Sequence, residues 1–120
     1  MTTACDIGSF ASDPLIVQNV RASFTSLGPG FGTYRVDANV IPPAGATGIP
    51  KATFYVLENG IIRKPFENAI MTEAPLGSRN FYVSQVGVSP RTGSQYWAEV
   101  TVDWMIQQRE SATSPVQTQP

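Results

Sequence analysis

Histidine is absent from this chain of 120 residues, and Cys5 is its only cysteine. The common Ser-His-Asp and Cys-His nucleophile systems therefore cannot be assembled, and zinc or haem sites built on His and Cys ligands are excluded as well. A single cysteine also rules out an intramolecular disulfide, so the fold must be held by packing. The sequence predicts no cofactor, no metal site and no enzymatic activity.

Charge is the second scarce feature. Charged residues make up 14% of the chain, against about 25% in an average globular domain. Eight basic and nine acidic residues give a net charge of −1, and neither sign forms a run. Nucleic acid calls for a clustered basic face and anionic lipid for a polybasic segment, so the sequence predicts neither partner.

Long apolar runs are also missing, which argues against a membrane-spanning segment. The N-terminus, Met-Thr-Thr-Ala-Cys-Asp-Ile-Gly-Ser-Phe, lacks the basic start and the apolar stretch of a signal peptide. We therefore expect a protein that is made in, or assembled from, a cytoplasm.

Two positive features stand out in the sequence: apolar and polar residues alternate with a period of two, and turn-forming residues are frequent. In the stretch 33–41, Tyr34, Val36, Ala38 and Val40 form one apolar face and polar residues form the other, which is typical of a strand with one buried side. Ten prolines and ten glycines separate several such stretches. The predicted strands are 15–24, 33–41, 51–58, 61–66, 67–74, 81–88 and 96–105. For 67–74 a single helical turn is the alternative to a short strand.

Three local signals predict how these strands connect. Asn59-Gly60 is the strongest short hairpin signal, because both residues accept the positive φ of a type I′ turn. Pro65 cannot donate to a β-ladder, so its strand is expected at a sheet edge. The turn-rich segment 89–94 predicts that the stretch 80–105 forms one long hairpin.

These signals predict an all-β protein: a single antiparallel β-sandwich of about seven strands over residues 15–106. Residues 1–14 are expected to form an extended N-terminal arm. Residues 107–120 read as a polar C-terminal tail that has too little apolar surface to order itself.

Strand count, the Asn59-Gly60 hairpin and the segments 81–83 and 96–100 carry a resemblance to the immunoglobulin-like and fibronectin type III superfamilies. The chain departs from antibody-type domains because it lacks both cysteines of the inter-sheet bridge and has no Trp on its third strand. A small jelly roll is the alternative topology.

Two large residues lie on a strand face that is expected to be exposed to solvent. Trp97 and Met105 alternate with the buried positions of the last strand and share their side with Glu99, Thr101 and Asp103. Such residues are typical of a partner-contact patch, and cover by a neighbouring segment of the same chain is the equal alternative. Tyr55 and Leu57 raise the same question on the third strand.

At the level of fold the chain is similar to phage capsid decoration, or cement, proteins. The resemblance implies a non-enzymatic structural protein of a virion, assembled in the host cytoplasm and bound to capsid subunits as a homo-oligomer or on a lattice. The partner-binding residues would be Ile7 and Phe10 in the arm, Val116 in the tail, and Trp97 and Met105 on the sheet.

Two other functions are kept open. The chain could be a recognition module of a larger surface or adhesive protein that binds protein or glycan. A carboxylate-based hydrolase that uses Glu99 or Asp103 is the weaker alternative.

Overall fold

The computed structural model describes residues 15–42, 48–105 and 108–120. These residues form nine strands and, within the described ranges, no helix. The strands are β1 (Ile16–Gly28), β2 (Phe31–Ile41), β3 (Ile49–Glu58), β4 (Ile61–Ile70), β5 (Thr72–Glu73), β6 (Asn80–Val88), β7 (Gln95–Met105), β8 (Gln108–Thr113) and β9 (Gln117–Thr118). Sheet A has the order β1-β2-β6-β5 and sheet B the order β4-β3-β7-β8, with β9 also paired to β7. All pairs are antiparallel, and the predicted all-β sandwich is confirmed.

The core lies between the two sheets and is centred on Phe54 of β3. Its ring lies 4.9 Å from that of Tyr34 in sheet A, and 5.6 Å and 5.8 Å from those of Tyr96 and Phe66. The alternating faces that the sequence marked as core on β2, β3 and β7 are buried, which confirms those predictions. Alternation on the last strand also predicts a core position for Trp104, which shares its side of the strand with Val102. Its side chain lies outside the described part of the chain.

The turn predictions hold at the β3–β4 hairpin. Asn59 and Gly60 have φ values of 51° and 78°, both positive as a type I′ turn requires. Strand β4 lies at the edge of sheet B, as predicted from Pro65. Proline has no N–H to donate, and at an edge this does not remove a hydrogen bond from the interior of the sheet. The predicted strand 67–74 is divided between the end of β4 and the short β5.

The predicted hairpin over residues 80–105 is wrong. Strand β6 pairs with β2 in sheet A, whereas β7 pairs with β3 in sheet B. The segment 89–94 therefore crosses from one sheet to the other, and the main-chain N–H of Ser89 donates to Gly30 O at 3.0 Å. Alternation shows which face of a strand is buried, but it does not identify the neighbouring strand.

The expectation of an unordered polar tail is also corrected. Strands β8 and β9 pair with β7 and form one interrupted edge of sheet B. At the interruption the N–H of Ser114 donates to Ala98 O, and Ser114 Oγ accepts from the N–H of Ala98, both at 2.9 Å. Backbone pairing needs few apolar side chains, so a polar segment can complete an edge. Strands β8 and β9 raise the strand count from about seven to nine, because β5 lies within the predicted strand 67–74.

Candidate partner-binding face of sheet B

The outer face of sheet B is assembled by the β3–β7 register. Tyr55 lies opposite Trp97, Thr53 opposite Glu99 and Lys51 opposite Thr101. Because the intervening residues of both strands are buried in the core, these side chains point away from it. The sequence prediction that Trp97 lies on the solvent side of its strand is thereby confirmed.

Tyr55 and Trp97 form a stacked pair at the middle of this face. Their ring centroids are 5.2 Å apart and the ring planes differ by 12°, and both residues are half-buried. Lys64 of β4 places its ammonium 5.6 Å from the Tyr55 centroid, within cation–π range. Each ring therefore covers one face of the other, and their remaining surface stays accessible.

Aliphatic side chains extend the aromatic pair on both sides. Ile62, which is 52% exposed, lies opposite Leu57 in the β3–β4 register. Gln117 pairs with Tyr96, so the main chain of Val116 lies next to Trp97, and its side chain is 57% exposed. We call this surface the apolar band; its members are Ile62, Leu57, Tyr55, Trp97 and Val116.

Next to the apolar band, the outer face of sheet B is polar. A depression of about 360 Å³ lies between β4 and β8. Its lining combines hydroxyl and amide groups with three carboxylates and two cations: Lys51, Thr53, Tyr55, Glu67, Asn68, Glu99, Thr101, Asp103 and Arg109. The lining thus offers both hydrogen-bond donors and acceptors. The ring of Tyr55 belongs to both the depression and the apolar band.

The charges in the depression are largely paired. Arg109 donates through Nε and Nη2 to the two carboxylate oxygens of Asp103, at 2.7 Å and 3.3 Å, and this contact lowers the pKa of Asp103. Asp103 therefore remains ionised near neutral pH, which suits an acceptor and not a general acid. Tyr55 donates its O–H to Glu99 Oε1 at 3.4 Å. Burial, followed by the charge of Glu99, raises the pKa of this phenol.

Neither a cluster of metal ligands nor a membrane-spanning helix occurs in the described ranges. Within residues 15–42, 48–105 and 108–120 there is no group of three or more Cys, His, Asp or Glu side chains placed to hold a metal ion. Over the same residues, no helix has the length and apolar character needed to cross a membrane.

The structure brings together two of the five sequence-predicted contact residues. Trp97 on β7 and Val116, the residue that precedes β9, both belong to the apolar band. Met105 follows Trp97 by eight residues on β7, a separation of about 26 Å at roughly 3.3 Å per residue, and its side chain lies outside the described part of the chain. Ile7 and Phe10 lie outside the described residues.

Several members of the face could not be assigned from the sequence. Arg109 falls in the predicted C-terminal tail, and Glu67 and Asn68 fall in the segment 67–74, for which a short strand is favoured over a helical turn. Their positions depend on the β7–β8 and β3–β4 registers, for which period-two alternation gives no signal. The one available signal was the apolar outer side of β3, at Tyr55 and Leu57.

Comparison with known proteins gives no match for this chain among protein-family models, curated proteins or solved structures. The geometry of the described residues is therefore the basis for a proposed function.

Proposed function

We propose that this chain is a non-enzymatic assembly protein that binds neighbouring protein subunits through the apolar band. The single observation that carries the proposal is the half-buried Tyr55–Trp97 stack on the outer face of sheet B, flanked by the exposed Ile62 and Val116. Exposed aromatic and aliphatic residues in one contiguous area are typical of protein–protein contact surfaces. We further propose that the assembly is a virus particle, in which the chain decorates the capsid as a cement protein.

The strand order supports the immunoglobulin-like part of this proposal. When β1 to β8 are lettered A, B, C, C′, D, E, F and G, sheet A reads A-B-E-D and sheet B reads C′-C-F-G. These orders match the A-B-E-D and C-F-G sheets of immunoglobulin-like sandwiches, with C′ added beside C. The order favours this topology over a jelly roll.

Binding through the apolar band would be concentrated at Trp97. Interface energy is usually carried by a few aromatic anchors surrounded by contacts that exclude water, and Trp97 is the largest side chain of the band. Each copy contributes only a small area, but attachment to a repeating lattice raises the effective concentration of every further contact. A modest affinity per copy is therefore sufficient for assembly.

Cosedimentation with virus particles from the source of the chain tests this function. The wild-type chain should bind in a saturable manner, and Trp97→Ala should weaken binding by about 2 kcal/mol, or roughly thirtyfold. Val116→Ser should act in the same direction. The matched control is Leu76→Ala, which truncates an 89% exposed side chain outside sheet B.

Two outcomes contradict the proposal: the absence of the chain from such particles, and binding that Trp97→Ala leaves unchanged although circular dichroism shows a folded protein. Deletion of 107–120 is not a suitable test, because β8 and β9 belong to sheet B. The arm is tested separately by Ile7→Ala with Phe10→Ala, which we expect to weaken binding further.

The polar depression favours a second candidate, a recognition module for glycan. Sugar hydroxyls both donate and accept hydrogen bonds, and the lining offers Lys51 and Asn68 beside the carboxylate of Glu99. Titration with a panel of free oligosaccharides, followed by tryptophan fluorescence, tests this function. A response that Lys51→Ala abolishes would support it, and a chain that responds to no oligosaccharide would rule it out in favour of the assembly role.

A further inference from the structure

The outer edge of β6 is paired over only part of its length. On one side β6 pairs with β2 without interruption, from Asn80 opposite Asn39 to Val88 opposite Phe31. On the other side β5 reaches only Phe81 and Tyr82. Within the described residues, no strand pairs with residues 83–88 on that side.

Hydrogen bonds show which main-chain groups face this open edge. The N–H of Ala74 donates to Asn80 O at 2.9 Å, so the main chain of Asn80 faces β5. Antiparallel strands present alternate residues to each neighbour, so Ser84, Val86 and Val88 face the same way as Asn80. Val88 O accepts from the Tyr34 hydroxyl. The N–H and C=O groups of Ser84 and Val86, and the N–H of Val88, are therefore left to form hydrogen bonds with an added strand.

The side chains on this edge are apolar. Val86 and Val88 lie opposite Thr33 and Phe31 and are 65% and 69% exposed on the outer face of sheet A. Phe31 beside them is 42% exposed. An added strand would therefore gain both backbone hydrogen bonds and apolar contacts.

The other long edge strands carry features that discourage strand addition. In β1 the register shifts next to Asn19, which has a φ of 55°. Strand β4 contains Pro65 and also Asn68, which has a φ of 51°. Strand β8 carries the charged residues Arg109 and Glu110. Residues 83–88, Val-Ser-Gln-Val-Gly-Val, contain no charge and no proline, and their register is continuous.

We propose that residues 83–88 form an interaction surface for a second copy of this chain, paired antiparallel so that two A sheets join into one. A two-fold axis at Val86 places Val86 opposite its own mate and Ser84 opposite Val88. The N–H and C=O groups of Val86 then pair with those of its mate, and the N–H of Val88 donates to Ser84 O. The uncharged strand brings no like charges together. The nearest cation on β2, Arg35, is neutralised by Asp37 at 2.9 Å.

The expected dimer is weak. Pairing of one short segment buries less than the roughly 1,200 Å² of a small stable interface. Self-association should therefore depend strongly on protein concentration. This surface is separate from the apolar band on sheet B, so the two interactions can fail independently.

Analytical ultracentrifugation of the full chain, from low micromolar to millimolar concentration, tests the inference. The average mass of the wild type should rise towards that of a dimer. Val86→Lys should stay monomeric over the whole range, because two ammonium groups would face each other across the axis. Thr25→Lys is the matched control: it adds the same charge to the outer face of sheet A at the opposite edge, and it should behave as the wild type.

Hydrogen exchange supplies a second readout on the same samples. The N–H groups of Ser84 and Val86 should exchange more slowly as the dimer forms, whereas those on the β1 edge should not change. A wild-type chain that stays monomeric at millimolar concentration would overturn the inference, even if it bound an extended peptide. Self-association that Trp97→Ala abolishes and Val86→Lys does not would also overturn it, by assigning the dimer to sheet B.

Discussion

Glu58 closes one end of the sandwich, where the β3–β4 hairpin meets the segment that leads into β7. One carboxylate oxygen accepts from the N–H of Arg91 at 2.7 Å and from Ser94 Oγ at 3.3 Å. The other accepts from Nε of Arg63, and the side chain is only 12% exposed. The N–H of Arg91, followed by the contacts with Arg63 and Ser94, lowers the pKa of Glu58. Glu58 thus ties the β3–β4 hairpin to the segment that crosses between the sheets.

Glu58→Gln should therefore lower the free energy of unfolding at pH 7 by about 1–3 kcal/mol, the range for a lost hydrogen bond to a charged, partly buried group. Because the folded-state pKa lies below the unfolded value of about 4.3, the stabilisation by Glu58 is present above that pH. It is lost as the pH falls through the folded-state pKa. Urea unfolding at pH 7 and at pH 3 should thus show a difference between wild type and variant that shrinks in acid.

Asp103→Asn is the control for this experiment, because its partner Arg109 also lowers the pKa of Asp103. Both side chains of that pair are mostly exposed, at 56% and 68%, so solvent screens the interaction. We expect the effect at pH 7 to be much smaller than that of Glu58→Gln. A Glu58→Gln deficit of equal size at both pH values would contradict the assigned role of the charge.

Phe54 has the corresponding role in the apolar core, since its ring contacts rings from both sheets. Phe54→Ala should cost about 3–5 kcal/mol, the usual range for a fully buried phenylalanine. Phe31→Ala removes the same side chain from a 42% exposed position and should cost far less. Urea midpoints with unchanged m-values would measure both, and similar costs would mean that the core is not centred on Phe54.

At the scale of elements, the C-terminal edge strand shows where composition misleads. The stretch 107–120 is mostly polar, and composition alone predicts that it stays unpaired. Its order comes from main-chain pairing with β7 and from two small side chains, Ala112 and Ser114, on the side that faces the core. Hydrogen bonds from Gln119 N–H to Ser94 O, at 2.8 Å, and from Gly93 N–H to Gln119 O, at 2.9 Å, continue the edge beyond β9.

Ser114→Ala tests this edge. The hydroxyl of Ser114 accepts from the N–H of Ala98, and the residue is only 6% exposed, so its removal leaves a buried donor without an acceptor. The expected cost is about 1–3 kcal/mol, with faster exchange of the Ala98 amide. Ser111→Ala on the exposed side of β8 should change stability by less than about 0.5 kcal/mol. Equal effects would show that the edge does not depend on Ser114.

At the scale of the whole molecule, the sequence predicts well what is local and poorly what is distant. The Asn59-Gly60 turn joins neighbours in the chain, and alternation identified the buried faces of β2, β3 and β7. The pairing of β2 with β6 spans some fifty residues, and no local signal distinguishes it from the predicted hairpin. The candidate site follows the same division: Trp97 was found by alternation, whereas Arg109 and Glu67 required the sheet registers.

The two sheets are joined by a polar contact as well as by the core. Gln117 belongs to sheet B through its pairing with Tyr96, and its Nε2 donates to Ala22 O of sheet A at 3.0 Å. Tyr96 Oη donates to Gln117 Oε1 at 3.4 Å. One side chain thus links the last strand of the chain to the first across the open side of the sandwich.

Gln117→Ala should loosen this link without disturbing the core. We expect a loss of about 1 kcal/mol, typical of one net hydrogen bond, and faster native-state hydrogen exchange in both β9 and the part of β1 around Ala22. Thr118→Ala, at the next and exposed position of β9, should leave exchange in β1 unchanged. If Gln117→Ala accelerated exchange in β9 alone, the sheets would be coupled through the core only, and the C-terminal edge would be an independent opening unit.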